Sequence, residues 1–184
     1  MFVSCTADWL NTDPSTAVPS DDAIKNIDDA QVALNGIYRL ASAHSYYGDN
    51  YLYYADCRGE DVQARINKGA GRRVSPYYFF DVTADDNFNI TCLEPTYKVI
   101  HQANSLIEKL DAGNAGNAKP EEVARIKSEA LAMRGLALFD LTRLFGMPYT
   151  LDNGASLGVP IEIQTTLEDH APERNTVHNV TNKC

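Results

Sequence analysis

Apolar side chains recur along much of this chain with the 3.6-residue period of an α-helix, and the stretches between them are rich in glycine, proline and asparagine. Asp28 and Gln31 have the spacing of a capping box, and apolar residues follow them at helical spacing. This pattern predicts a first helix that ends before Gly48. Residues 50–55 predict a short second helix, with a strand as the alternative. The chain is therefore predicted to be mainly α-helical.

Two longer helices are predicted in the second half of the chain. The first runs from about Glu94 to Leu110 with Pro95 in its first turn, and residues 111–117 form the polar turn that ends it. The next begins at Pro120 and is apolar on more than one face, so we expect it to lie buried between neighbours. Its two apolar stripes consist of Ile126, Ala130, Met133, Ala137, Leu141 and Leu144, and of Leu131, Leu138 and Phe145.

Two segments lack this periodicity. Residues 1–27 predict a polar tether, with prolines and many short polar side chains. Residues 58–92 predict an irregular insertion with three glycines, a proline and an aromatic run. Loops of that length inside a compact domain are often functional. The predicted organisation is the tether followed by one helical domain over residues 28–184, in which a further helix begins near Thr176.

The composition excludes several classes of protein. The chain has 184 residues, 16 Lys and Arg, 25 Asp and Glu, and a formal net charge of −9, so it offers no basic face for nucleic acid. The apolar runs are too short to cross a bilayer. The 44% of hydrophobic residues is typical of a globular protein rather than a disordered one.

The four cysteines do not have the close spacing of a zinc site. Cys57 and Cys92 are predicted to be small buried residues, which is the usual behaviour of cysteine. Cys5 differs, because Phe2, Val3 and Ser4 before it resemble the end of a bacterial lipoprotein signal, in which the cysteine receives the lipid. Cys5 is therefore a candidate lipid anchor.

From residue 129 onward the sequence resembles the signature helix of the SusD/RagB family, through residues 129–141 and 143–149. Upstream, Cys5 followed by residues 9–14 is similar to the start of that family's mature lipoproteins. Further blocks occur in the family's order and spacing at residues 34–38, 97–104, 157–161 and 174–177. One departure is Leu93, which stands where many relatives have tryptophan.

The resemblance implies a mainly α, SusD-like scaffold that is similar to tetratricopeptide helix pairs. It also implies a non-catalytic outer-membrane lipoprotein of Bacteroidetes, exposed at the cell surface and anchored through Cys5. Such a protein captures glycans or other nutrients and passes them to a TonB-dependent transporter of the SusC type. Family members run to several hundred residues, so we expect this chain to be an N-terminal portion. The helix that begins at Pro120 would then leave an apolar face without its usual cover.

Three polar residues within these blocks are predicted to be structural. Glu129 and Arg134 are five positions apart, which puts them on helix faces about 140° apart, so they are not expected to pair. Arg134 is instead expected to meet an acid from another helix, because a buried guanidinium without a partner is costly. The amide of Asn104 is expected to satisfy nearby backbone groups.

The candidates for sugar contact lie in the irregular insertion. An aromatic ring can stack on the apolar face of a sugar while carboxylates and amides bind its hydroxyls. That mixture occurs between residues 77 and 89, in Tyr77, Tyr78, Asp81, Asp85, Asp86, Asn87 and Asn89. The alternative is that the rings are core and the acids only solvated. Tyr46, Tyr47 and Tyr51 are a second set of candidates.

No motif indicates catalysis, a metal or another cofactor. The four histidines lack ligand spacing, and the calcium-like stretch from Asp85 has Ile90 where the loop requires glycine and Thr96 where it requires glutamate. No pair of carboxylates stands out for glycosidase chemistry. The alternatives to glycan binding are a helical protein–protein docking module, or a truncated remnant that binds no ligand, and more remotely a hydrolase.

Overall fold

The computed structural model describes residues 23–59, 80, 87–166 and 171–184. Their helices are α1 (Ile27–Ala41), α2 (Asn50–Arg58), α3 (Asn87–Asp111), α4 (Pro120–Phe145), α5 (Tyr149–Asp152) and α6 (Val177–Thr181). Over these ranges the chain forms no β-strand, and one isolated antiparallel bridge joins Leu157 to Thr176. The prediction of a mainly α protein is confirmed.

Helices α3 and α4 pack against each other in antiparallel directions and form the centre of the fold. Asn104 of α3 contacts Arg134 of α4, while Asp111 at the end of α3 pairs with Lys127 near the start of α4. Moving forward along one helix therefore means moving backward along the other.

Helix α1 lies beside α4 and runs in the same direction. The Tyr38 hydroxyl donates to Glu129 over 2.9 Å, and Arg125 donates to Gln31 over 2.6 Å. Arg125 also donates to Glu129. The hydrogen bonds from Tyr38 and Arg125 lower the pKa of the Glu129 carboxyl. Glu129 thus forms hydrogen bonds within α4 and across to α1, and neither of these bonds involves Arg134.

The core lies where α1, α3 and α4 meet. Its fully buried side chains include Leu34, Ile37, Ile100, Leu106, Ile126, Leu138 and Leu141. Each large aliphatic side chain removed from water contributes about 1.5–3 kcal/mol to stability. The first predicted stripe of α4 faces this core. The second stripe is only partly enclosed, because Leu131 is 38% exposed. Leu131, Leu136 and Phe139 together give α4 an apolar side that is exposed to solvent.

Two predicted helix starts are wrong. The cap of α1 is Asn26, whose side chain accepts from the Asp29 backbone N–H, rather than the predicted pair of Asp28 and Gln31. Helix α3 begins at Asn87, so the last residues of the predicted insertion are helical and Pro95 lies inside the helix.

Proline inside a helix removes a backbone N–H donor, whereas in the first turn that N–H would have no partner within the helix. Pro95 therefore suggested that the helix begins close to it. In α3 the Thr96 hydroxyl donates to the Cys92 carbonyl over 2.7 Å at this point. The carbonyl that Pro95 leaves without its N–H donor is that of residue 91, so the Thr96 bond is an additional one in the same turn. The helix continues on both sides of Pro95.

The block at residues 174–177 has a clear structural role. Arg174 donates to the carbonyls of Leu157 and Gly158, and Asn175 accepts the N–H of Ile161 over 2.9 Å. Thr176 caps α6 through its hydroxyl oxygen. These bonds fix the extended segment 157–161 on the helical core, and they place the residues that follow it against α3.

Candidate functional site

Three tyrosine hydroxyls converge on one buried carboxylate. Tyr46 and Tyr47 both donate to Oδ2 of Asp140 over 2.6 Å, and Tyr51 donates to Oδ1 over 2.6 Å. Arg143, one turn further along α4, donates to the Tyr51 hydroxyl over 3.3 Å. Asp140 is 1% exposed, so these hydroxyls replace the water that an ionised carboxylate would otherwise need.

This cluster fastens the connection between α1 and α2 onto α4. The rings pack on one another, with centroids 4.6 to 5.7 Å apart. Burial, and then the hydrogen bond to Asp140, raise the pKa of Tyr46, Tyr47 and Tyr51 above the ordinary value. Tyr46 is 1% exposed and is not accessible to a glycan. Its predicted role in sugar contact is therefore wrong.

Sequence reasoning missed Asp140. The available signal was a single acid among the apolar residues of α4, since a carboxylate on a buried face requires donors. Nothing in the sequence identified the three tyrosines as the donors to this carboxylate, because they lie 89 to 94 positions away.

A second polar group ties the extended segment 162–164 to the helices. The Asn104 amide donates to the carbonyls of Glu162 and Gln164, both over 3.1 Å. Arg134 donates to the Asn104 side-chain oxygen over 3.0 Å and to the Ile163 carbonyl over 3.3 Å. The expected role of Asn104 in satisfying backbone groups is confirmed.

Among the residues whose positions the structure describes, Arg134 has no acid partner, so that expectation is wrong there. Its acceptors are an amide oxygen and a carbonyl, and the side chain is half-buried rather than enclosed. Partial burial lowers the pKa of the guanidinium, and the remaining contact with water makes a neutral acceptor sufficient.

Between α3 and this extended segment lies an open cleft of about 680 Å³. Leu93, Tyr97, His101 and Asn104 line its α3 side, and their spacing of four, four and three places them on one face of the helix. The opposite wall includes Gln164. The cleft is within the size range of small-molecule sites.

The predicted sugar contacts fall mostly outside the described residues. Tyr77, Tyr78, Asp81, Asp85 and Asp86 lie there, as does the predicted anchor Cys5. Asn87 and Asn89 lie in the first turn of α3.

One described residue of this stretch, Phe80, is 69% exposed. The Arg58 guanidinium lies 5.8 Å from its ring and 4.1 Å from the ring of Tyr54 on α2. Tyr53, on the same helix, is 47% exposed. The Arg58 guanidinium at the end of α2 therefore lies between the buried ring of Tyr54 and the exposed ring of Phe80.

Cys57 and Cys92 are buried free thiols, as predicted. Burial raises the pKa of Cys92 to about 12, so this thiol is not reactive at neutral pH. Among the residues with described positions, no three His, Cys, Asp or Glu side chains are grouped to hold a metal ion. The described helices are also too short or too polar to cross a membrane.

Residues 8–184 match the SusD-like family described as "Starch-binding associating with outer membrane". Because the match covers nearly the whole chain, the chain belongs to this SusD-like family. The fold agrees: a SusD superfamily protein of Bacteroides thetaiotaomicron is 60% identical and superimposes with a TM-score of 0.79 over 86% of this chain.

Two further relatives add to the comparison. A putative sugar binding protein of Bacteroides vulgatus is 36% identical, with a TM-score of 0.76 over 88% of this chain. A SusD-like protein of Formosa agariphila is 28% identical over 76% of this chain. The chain spans 35% of each of the two solved structures and 27% of the Formosa protein.

Proposed function

We propose that the protein to which this chain contributes binds glycans at the cell surface without cleaving them, and delivers them to a TonB-dependent transporter of the SusC type. The observation that carries the proposal is the family match over residues 8–184, together with the superposition on a 36% identical protein titled a putative sugar binding protein. The chain supplies the helical scaffold of that protein.

The scaffold has the rigidity that a binding surface requires. Binding loops are effective when a rigid framework positions them, since less ordering is then needed on binding. Here Asp140 and its three tyrosines hold α2 in place, and residues 59–86 follow directly on α2.

The contacts that we propose for sugar lie in that following stretch and at the start of α3. They are the rings of Tyr77 and Tyr78 and the polar side chains of Asp81, Asp85, Asn87 and Asn89. Exposed Phe80 supports this assignment, because it places an aromatic ring within the same stretch, 5.8 Å from the Arg58 guanidinium.

The lipid on Cys5 is proposed to anchor the protein to the outer membrane, and residues 6–22 to serve as its tether. The predicted end of the tether at residue 27 is wrong, because Ile24 is buried in the core and Asn26 caps α1. A net charge of −9 gives the chain no electrostatic attraction to an anionic lipid surface. The covalent lipid would then hold the protein at the membrane.

A glycan array probed with the full-length protein, followed by calorimetric titration of the best ligand, tests the proposal. We expect binding to at least one oligosaccharide, weakened about tenfold or more when Tyr77 and Tyr78 are both changed to alanine, because stacking area is lost. The matched control is Tyr38→Ala, which removes a ring on the α1–α4 side of the fold. Equal affinity in all three proteins would refute the assigned contacts, and no glycan binding by the parent would refute the function.

A further inference from the structure

The cleft between α3 and the segment 162–166 is a binding site in its own right by its shape and chemistry. Its α3 wall carries Leu93 and the ring of Tyr97. Leu93 is 38% exposed, so this wall offers apolar surface to solvent. An apolar wall with polar groups around it is the usual composition of a small-molecule site.

The opposite wall is held in place by hydrogen bonds to its backbone carbonyls and to Thr165. Asn104 binds the carbonyls of residues 162 and 164, and Tyr97 donates to the Pro160 carbonyl over 3.0 Å. Glu108 accepts both the N–H and the hydroxyl of Thr165, over 2.7 and 2.5 Å. The cleft is therefore formed before any ligand arrives, which reduces the entropic cost of binding.

The rim carries neutral groups that can both donate and accept hydrogen bonds. His101, Gln102, Gln164 and Thr166 are exposed and line the cleft. Imidazole, amide and hydroxyl groups match the hydroxyls of a sugar, each of which also donates and accepts. The Tyr97 hydroxyl is already bonded, so this residue contributes its ring.

The charges of the lining act against an anionic ligand. Glu94 and Glu162 are acids, and Lys98 is bonded to Glu94 over 2.6 Å. The lining therefore holds two carboxylates and one ammonium, so its formal charge is −1. A carboxylated or sulfated sugar would be repelled.

We infer that this cleft is an additional subsite for a neutral oligosaccharide, separate from the contacts proposed at residues 77–89. The inference depends on the proposed function, because it names a second place on the same protein where the glycan is held. His101 and Gln164, on opposite walls, are the residues that bind its hydroxyls.

The test uses the full-length protein and calorimetric titration with the neutral oligosaccharide that it binds best on the array. His101→Ala combined with Gln164→Ala removes one polar group from each wall. We expect an affinity about tenfold lower, the loss of roughly one net hydrogen bond, with an unchanged melting temperature. The control is Glu122→Ala, an exposed residue in the first turn of α4. A uronic-acid oligosaccharide of equal length is expected to bind more weakly than the neutral one.

A second measurement tests directly whether the cleft is accessible and whether the ligand occupies it. Diethylpyrocarbonate modifies exposed histidines, so His101 is expected to react in the ligand-free protein and to be protected by the bound oligosaccharide. Unchanged affinity in the double variant would overturn the subsite while leaving glycan binding intact. A His101 that is unreactive without ligand would overturn it too, because the rest of the protein would then cover the cleft. If the parent binds no glycan, the subsite and the proposed function both fail.

Discussion

The Tyr51 hydroxyl donates to Oδ1 of Asp140 over 2.6 Å, although the two residues are 89 positions apart in the sequence. Tyr46 and Tyr47 occupy the other oxygen of the same carboxylate. These contacts fix the start of α2 to the C-terminal part of α4, and they make Asp140 the polar centre of a largely apolar core.

Asp140→Ala is expected to be among the most destabilising single changes in this chain. It leaves three tyrosine hydroxyls without their acceptor in a buried space, so we expect a loss of about 3–5 kcal/mol in the free energy of unfolding. Urea titration followed by circular dichroism measures it. Asp28→Ala is the control, because this exposed carboxylate lies in the first turn of α1 and its removal is expected to cost less than about 1 kcal/mol. A similar loss in the free energy of unfolding for both variants would show that the hydrogen bonds to Asp140 stabilise the fold no more than an exposed carboxylate does.

Stability is expected to fall in alkaline solution. Burial raises the pKa of Cys92 from its ordinary 9.0 to about 12, and the pKa values of the three tyrosines also lie above their ordinary value. The folded protein therefore keeps protons that the unfolded chain releases, so the stabilisation is complete below pH 9 and declines as the pH rises towards 12. Each such group contributes a slope of up to about 1.4 kcal/mol per pH unit.

Urea titrations at several pH values between 8 and 11 measure this slope. The Cys92→Ala variant is expected to show a shallower decline from pH 9 upward than the parent, because one of the protons is no longer held. A free energy of unfolding that stays constant across this range would contradict the burial of these groups.

Asn104→Ala is expected to release the extended segment without unfolding the helices. The change removes two donors to residues 162 and 164 and the acceptor of Arg134, which predicts a loss of about 2–3 kcal/mol. Hydrogen exchange is expected to accelerate in residues 160–165 and to stay slow in the centre of α4. Asn35→Ala, an exposed amide of α1, serves as the comparison. Uniform acceleration along the whole chain would mean that Asn104 supports the core rather than this segment.

Two helical glycines are expected to respond oppositely to alanine. A Cβ at Gly36 would meet no atom within 4 Å, so Gly36→Ala is expected to stabilise by about 0.5–1 kcal/mol through helix propensity. A Cβ at Gly135 would lie 2.8 Å from the Cys184 carbonyl oxygen, so the same change there is expected to destabilise. Thermal melts measure the shift in melting temperature of each variant. A shift of the same sign in both would contradict the packing around Gly135.

Local patterns in the sequence predicted the parts of this fold that local physics determines. The start of the helix at Pro120 was predicted correctly, because proline in a first turn is a signal that acts within a few residues. The start of α3 was missed because Pro95 suggested a first turn, while the Thr96 hydroxyl that accompanies the uninterrupted helix has no distinctive sequence signal.

Contacts between distant residues could not be predicted in the same way. A buried carboxylate such as Asp140 requires donors, but its position does not say which of the ten tyrosines supply them. Arg134 was expected to find an acid because a guanidinium was assumed to be fully buried. Its actual partial exposure, which depends on the whole fold, makes an amide partner sufficient.

The central claim is that this helical scaffold belongs to a protein that binds glycan and leaves it intact. The most direct test is a calorimetric titration of the full-length protein with oligosaccharides chosen by the array, with reducing ends assayed in the same samples. The account predicts saturable binding of a neutral oligosaccharide and no increase in reducing ends. Absence of heat with every glycan, or the steady appearance of new reducing ends, would contradict it.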